Sequence, residues 1–182
     1  ECAGVVKADA YGMGIEPVVA ALWDAGCRTF FVATLVEGAR LKAVLPNATA
    51  YVLDGLMPGT AAIYPERGLR PVLGSLVEIA EWAAYSRAVG SKLPAAVHID
   101  TGMNRLGMPP GEVHKLVAEP APLNDFTVAL VMSHLACADT VGSPMNARQK
   151  AAFDALRALL PDAPASLANS AGTLLGPDYR YD

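Results

Sequence analysis

Seven short runs of apolar, β-branched or aromatic residues recur along the chain, at 4–8, 29–34, 50–53, 71–73, 95–100, 127–133 and 165–168. Each is strand-sized. Several are apolar throughout rather than alternating, as in parallel strands covered on both faces. Between them, apolar residues return at three- and four-residue spacing over 16–25, 36–45, 76–89, 111–118 and 146–160, the period of amphipathic helices. Ser75 and Glu78 have the spacing of a capping box, and Pro109-Pro110 suits the opening turn of the segment 111–118. In 146–160, Ala152, Phe153, Leu156, Leu159 and Leu160 share one face, and Pro161 predicts the stop.

This alternation of strand and helix predicts a parallel α/β fold. No GxGxxG follows the first strand, which weakens the dinucleotide-binding version of such a fold. Polar or reactive groups instead follow many strands: Lys7, Asp100, Ser133-His134 and Asn169-Ser170. A barrel gathers all its strand ends into one ring, whereas an open sheet spreads them along a line. The expected fold class is therefore a TIM-type (β/α)8 barrel, incomplete at seven strands, with residues 1–182 forming one partial domain. The chain opens on Glu1-Cys2 and closes on Asp-Tyr-Arg-Tyr-Asp, so a piece of a longer protein is expected. The missing eighth strand would leave edges on the first and last strands.

Composition narrows the partners. Of 182 residues, 53% are hydrophobic and 18% charged, enough for a sizeable core. A net charge of −4, without long runs of either sign, favours neither nucleic acid nor an anionic membrane surface. Cys2, Cys27 and Cys137 are odd in number and widely spaced, which indicates neither a disulfide framework nor a metal cluster. No apolar run has transmembrane length and no signal-peptide order is present, so a cytoplasmic location is expected.

Four places carry candidate chemistry. Lys7 follows two valines in Val-Val-Lys-Ala-Asp-Ala-Tyr-Gly. It is either a lysine that snorkels to solvent or an amine put to chemical use, with Tyr11 four residues on and able to meet a phosphate. In His98-Ile-Asp-Thr-Gly-Met-Asn-Arg105, two nearby glycines allow a tight loop presenting Arg105. Its planar fork suits a phenolate or carboxylate, or it simply pairs with Asp100. His134 closes a strand and is either a structural hydrogen bonder or part of a site. Asn169 and Ser170 are either an ordinary N-cap or a phosphate cup. Together, an amine, an arginine fork, a histidine and a phosphate cup are the parts needed to hold pyridoxal 5′-phosphate.

These segments, VVKADAYGMG, HIDTGMNRLG, SHLACAD and ANSAG in that order, resemble the signature segments of alanine racemases across essentially the whole chain. The resemblance implies a cytoplasmic, pyridoxal phosphate-dependent isomerase interconverting L- and D-alanine, supplying D-alanine for peptidoglycan, with a homodimeric parent enzyme. It gives Lys7 the covalent attachment of the cofactor and the role of base on the D-alanine face. Tyr11 and Ser170 match phosphate-binding residues. Arg105 matches the arginine on the cofactor's phenolic oxygen, which also orients the substrate carboxylate. His134 and Asn169 match residues beside the pyridine ring. Lys7, Arg105 and His134 are thus the expected catalytic group, with no metal. The alternatives are a barrel-type decarboxylase using the same cofactor, or a non-catalytic pyridoxal phosphate-binding protein.

Three departures from the family pattern stand out. His98 occupies a place where many relatives have a lysine, often carbamylated. Met13 replaces a common histidine. The arginine that faces the pyridine nitrogen and the β-rich domain bearing the second base, a tyrosine acting across the dimer, are both expected outside these residues, so 1–182 alone should racemise little.

Overall fold

A computed structural model describes residues 1–182. The chain divides into two compact units, Glu1–Val72 and Leu73–Asp182. In the first, β1 (Gly4–Val5), β2 (Thr29–Val32), β3 (Thr49–Val52) and β4 (Arg70–Leu73) pair in sequence order, every pair parallel. The turn α1 (Lys7–Tyr11) and helices α2 (Ile15–Asp24), α3 (Leu35–Val44) and α4 (Ile63–Arg67) connect them. Strands β2 to β4 each enter half-covered and then run buried for three residues, so they are enclosed on both faces as continuous apolar runs require. Tyr64, Phe30, Ile15 and Leu41 are the largest fully buried side chains of this unit's core.

The second unit repeats the scheme. β5 (Pro94–His98), β6 (Thr127–Met132) and β7 (Ala165–Ser166) are parallel neighbours, joined by α6 (Pro110–Ala118) and α7 (Pro144–Arg157), with α5 (Leu76–Ala88) ahead of β5 and α8 (Ser170–Thr173) after β7. Trp82, Ile99, Met108, Leu135, Phe153 and Leu167 fill its core. The fold class is thus the expected one: α/β, seven strands with parallel neighbours and intervening helices, as in a (β/α)8 barrel short of one strand.

Several boundaries differ from expectation, each for a local reason. The first run, read as strand through Ala8, pairs only at Gly4 and Val5, and one more amide, Val6 N, reaches Phe31 O. Beyond Val6 the backbone turns left-handed: Ala8, Asp9, Ala10 and Tyr11 all have φ between 52° and 56°. L-residues disfavour this conformation by about 1–2 kcal/mol each. Local bonds hold it, from Ala10 N to Val6 O, from Gly14 N to Asp9 O, and from Ile15 N to the Asp9 carboxylate.

Other differences are smaller. α4 escaped the sequence reading because it is one turn long with a proline inside. The Ser75–Glu78 pair is only half a box: Ser75 Oγ accepts from Glu78 N, while the Glu78 carboxylate accepts from Gly74 N and the Ser75 hydroxyl. The complete box is Thr34 with Glu37, at the start of α3. α7 ends at Arg157, and Leu159 is exposed rather than on the buried face. On the outer side of β7 the Ala165 amide is not left bare, since the Asp182 carboxylate accepts from it at 3.0 Å and Tyr181 donates to Asp154 at 2.7 Å.

Candidate functional site

The marked residues lie just past the C-terminal ends of their strands. In the first unit Lys7 stands two residues beyond β1 and opens the left-handed turn, half-buried. Tyr11 ends that turn with its side chain 61% exposed. The acidic neighbours are committed elsewhere. Asp9 accepts from Ile15 N at 3.1 Å and pairs with Arg40 at 2.8 Å, and Arg40 also makes a two-point contact with Glu16. The Arg40 fork holds the Glu16 carboxyl below its ordinary range. Glu37 spends both carboxylate oxygens on backbone amides. The Lys7 amine is therefore not neutralised by either carboxylate that its own loop and the facing helix could offer.

In the second unit β5 delivers His98, and the chain then doubles back so that Met108 N donates to His98 O and Asp100 N to Met108 O, each at 2.8 Å. Within that return loop Asp100 accepts from Gly102 N and Asn104 N. The loop is therefore pinned by an aspartate-centred turn rather than by an Asp100–Arg105 ion pair, and Arg105 stands exposed at its tip.

His98 is 6% exposed. Burial first, then the neighbouring His134 imidazole, push its pKa down from 6.5 to about 4; Asp100 pulls the other way, and Arg105 adds a smaller push down. It is neutral at physiological pH, and the carbamate-like charge that the resemblance associates with this place is absent. The unfolded chain takes up a proton near pH 6.5 and the folded protein resists until about pH 4. The contribution to stability is therefore whole above pH 6.5 and declines as pH falls towards 4, by about 3 kcal/mol at most. Urea midpoints measured across this range should fall with pH in the native sequence and flatten in His98→Gln; an equal slope in both would refute the burial argument.

His134 follows β6, half-buried, in a segment held from two sides. Gln149 of α7, fully buried, donates to His134 O at 2.9 Å and accepts from Ala136 N at 2.8 Å. The same amide reaches Thr101 Oγ1, which shares a 2.7 Å hydrogen bond with Ser133 Oγ. From the other side Asn169 donates to Leu135 O at 3.4 Å, while its Oδ1 caps α8 by accepting from Gly172 N at 2.8 Å. Asn169 thus does what an N-cap does and also tethers the histidine segment. Ser170, the first residue of α8, is exposed.

The structure therefore assembles Arg105, His98, His134 and Asn169 around the strand ends of the second unit, and Lys7 and Tyr11 on one turn of the first. Sequence reading missed Glu37 and Gln149. Both had a signal: Glu37 is the third residue after Thr34, the capping-box spacing, and Gln149 is a polar residue one turn before Phe153 on the buried face of α7.

Comparison with known proteins gives this geometry a family. The family described as "Alanine racemase, N-terminal domain" matches residues 1–182. The alanine racemase of Methylobacterium nodulans is 56% identical over 182 residues, covering all of this chain and 49% of that protein. A catabolic alanine racemase of Mesorhizobium japonicum is 49% identical, with 100% and 48% covered. Among solved structures, alanine racemase from Bartonella henselae with covalently bound pyridoxal phosphate superposes with a TM-score of 0.97 at 39% identity, covering 100% of this chain and 53% of that one. The chain spans about half the length of the curated relatives it matches. On a family match that runs its whole length, the chain belongs to the alanine racemase N-terminal domain family.

Proposed function

We propose that residues 1–182 are the cofactor-binding part, a partial (β/α)8 barrel domain, of a pyridoxal 5′-phosphate-dependent enzyme that interconverts L- and D-alanine. The observation that carries this reading is the setting of Lys7: a half-buried amine on a fixed turn, with Asp9 and Glu37 occupied elsewhere. A lysine meant only for structure would be expected to pair with one of them. The donor set also fits the cofactor chemically: one amine for its carbonyl, one arginine fork for an anionic oxygen, and hydroxyls for a phosphate.

Bound pyridoxal phosphate supplies the electron sink that makes the α-hydrogen of an amino acid removable. The remaining work falls to side chains. Lys7 Nζ holds the cofactor and takes or returns the proton on the D-alanine face. Tyr11 and Ser170 offer hydroxyls to the phosphate. Arg105, exposed and unpaired with Asp100, is available to a phenolic oxygen and to the substrate carboxylate. His134 and Asn169, fixed by Gln149 and by the α8 cap, form the support beside the ring. The second base, a tyrosine of a partner chain in a homodimer, completes the proposal, as does a cytoplasmic role in supplying D-alanine for peptidoglycan. No helix is long and apolar enough to cross a membrane.

Borohydride reduction of the pyridoxal phosphate-loaded protein should fix the cofactor on the peptide containing Lys7. Lys42 is the informative competitor, because burial lowers its pKa, yet its ammonium is held by Pro46 O and Ala48 O. Labelling at Lys42 or Lys92 in place of Lys7 would overturn the assignment. Release of CO2 from the substrate would point to decarboxylation instead.

A further inference from the structure

The backbone around Lys7 is held at two points. Before it, Val6 N donates to Phe31 O of β2 at 2.9 Å. After it, the chain enters the left-handed turn, and the Ala8 amide has no carbonyl to meet within that turn. The carboxylate of Glu37, on α3, meets it: Oε1 accepts from Ala8 N at 2.7 Å, while Oε2 accepts from Ala33 N at 2.7 Å and Thr34 N at 3.4 Å. One carboxylate thus joins the residue after Lys7 to the residues that leave β2. The carboxylate is held in place by those Ala33 and Thr34 amides, while the Glu37 amide separately donates to Thr34 Oγ1 in the capping box.

We infer that Glu37 is the positioning residue for Lys7. It need not touch substrate or cofactor. It sets where the Lys7 backbone sits by satisfying the amide on its C-terminal side, in a turn whose four consecutive left-handed residues would otherwise relax. Only a carboxylate serves here: both of its oxygens are acceptors, and both are used. A glutamine keeps the size but turns one of those oxygens into an N–H donor facing another N–H. The link to catalysis rests on the reading of Lys7 given above.

The test pairs Glu37→Gln with Thr34→Ala. The second variant removes the helix cap and costs stability, but it leaves the Glu37 carboxylate free to reach Ala8. In the cofactor-free protein, amide exchange at Ala8 should quicken about tenfold in Glu37→Gln and stay unchanged in Thr34→Ala. In the loaded protein, the pyridoxal phosphate concentration giving half-maximal borohydride trapping at Lys7 should rise about tenfold in Glu37→Gln only. Unchanged exchange at Ala8, or equal shifts in both variants, would overturn the inference and leave Glu37 a helix-capping residue. Should native protein trap no cofactor at Lys7, the functional reading fails by itself, while exchange at Ala8 still decides whether Glu37 holds the segment.

Discussion

Replacing Lys7 with alanine in the proposed full-length enzyme should abolish covalent retention of pyridoxal phosphate and lower kcat/KM for alanine racemisation by roughly a thousandfold or more, since one substitution removes both the attachment point and a proton-transfer group. The loss should fall mainly on kcat. The side chain is half-buried and carries no salt bridge to Asp9 or Glu37, so the melting temperature should move by only a few degrees. A small primary amine added to the assay should restore part of the rate, because it supplies the missing base without the missing tether. Full activity in Lys7→Ala, or loss of activity matched by loss of folded protein, would remove Lys7 from the mechanism.

The second large effect is expected at Gly107. Its φ is +97°, and a Cβ there would stand 2.8 Å from Asp100 N, 2.9 Å from Ile99 C and 3.0 Å from His98 Cδ2. Two of those atoms are backbone in a fixed bridge between Ile99 and Met108, so neither can give way. Gly107→Ala combines left-handed strain with a backbone clash and should cost about 3 kcal/mol or more. It should also shift the Arg105 loop, raising KM for alanine in the proposed full-length enzyme. Gly142→Ala is the control: nothing lies within 4 Å of its added carbon, and the change should stay within about 0.5 kcal/mol. Equal urea midpoints for the two variants would show that the return of the loop onto β5 is not tightly fixed.

These predictions draw on different depths of legibility. The strands were readable because parallel strands enclosed on both faces leave apolar runs, and β2 to β5 are buried from their second residue on. The longer helices were readable from their period. What failed were features whose cause lies outside the local pattern. The end of β1 is decided by a left-handed turn that no apolar spacing encodes, and by Glu37, which stands 29 residues from the amide it receives. For the site, residue types gave the candidates, but not their partners. Asn169 looked like either a cap or part of an anion cup; the structure shows it capping α8 and also bonding Leu135 O, 34 residues away. Gln149 went unread as a partner of His134 because a lone polar residue on an apolar helix face does not reveal which carbonyl it serves.

The left-handed turn has a consequence for chirality. From Ala8 to Tyr11 the main chain follows the hand that mirror-image residues prefer. At Ala10, buried and held by its bond to Val6 O, the strain falls on an L-alanine whose D-enantiomer would adopt that backbone at ease. A chain proposed to be part of an enzyme that inverts free alanine thus carries, three residues past Lys7, an alanine held in the conformation natural to the opposite hand.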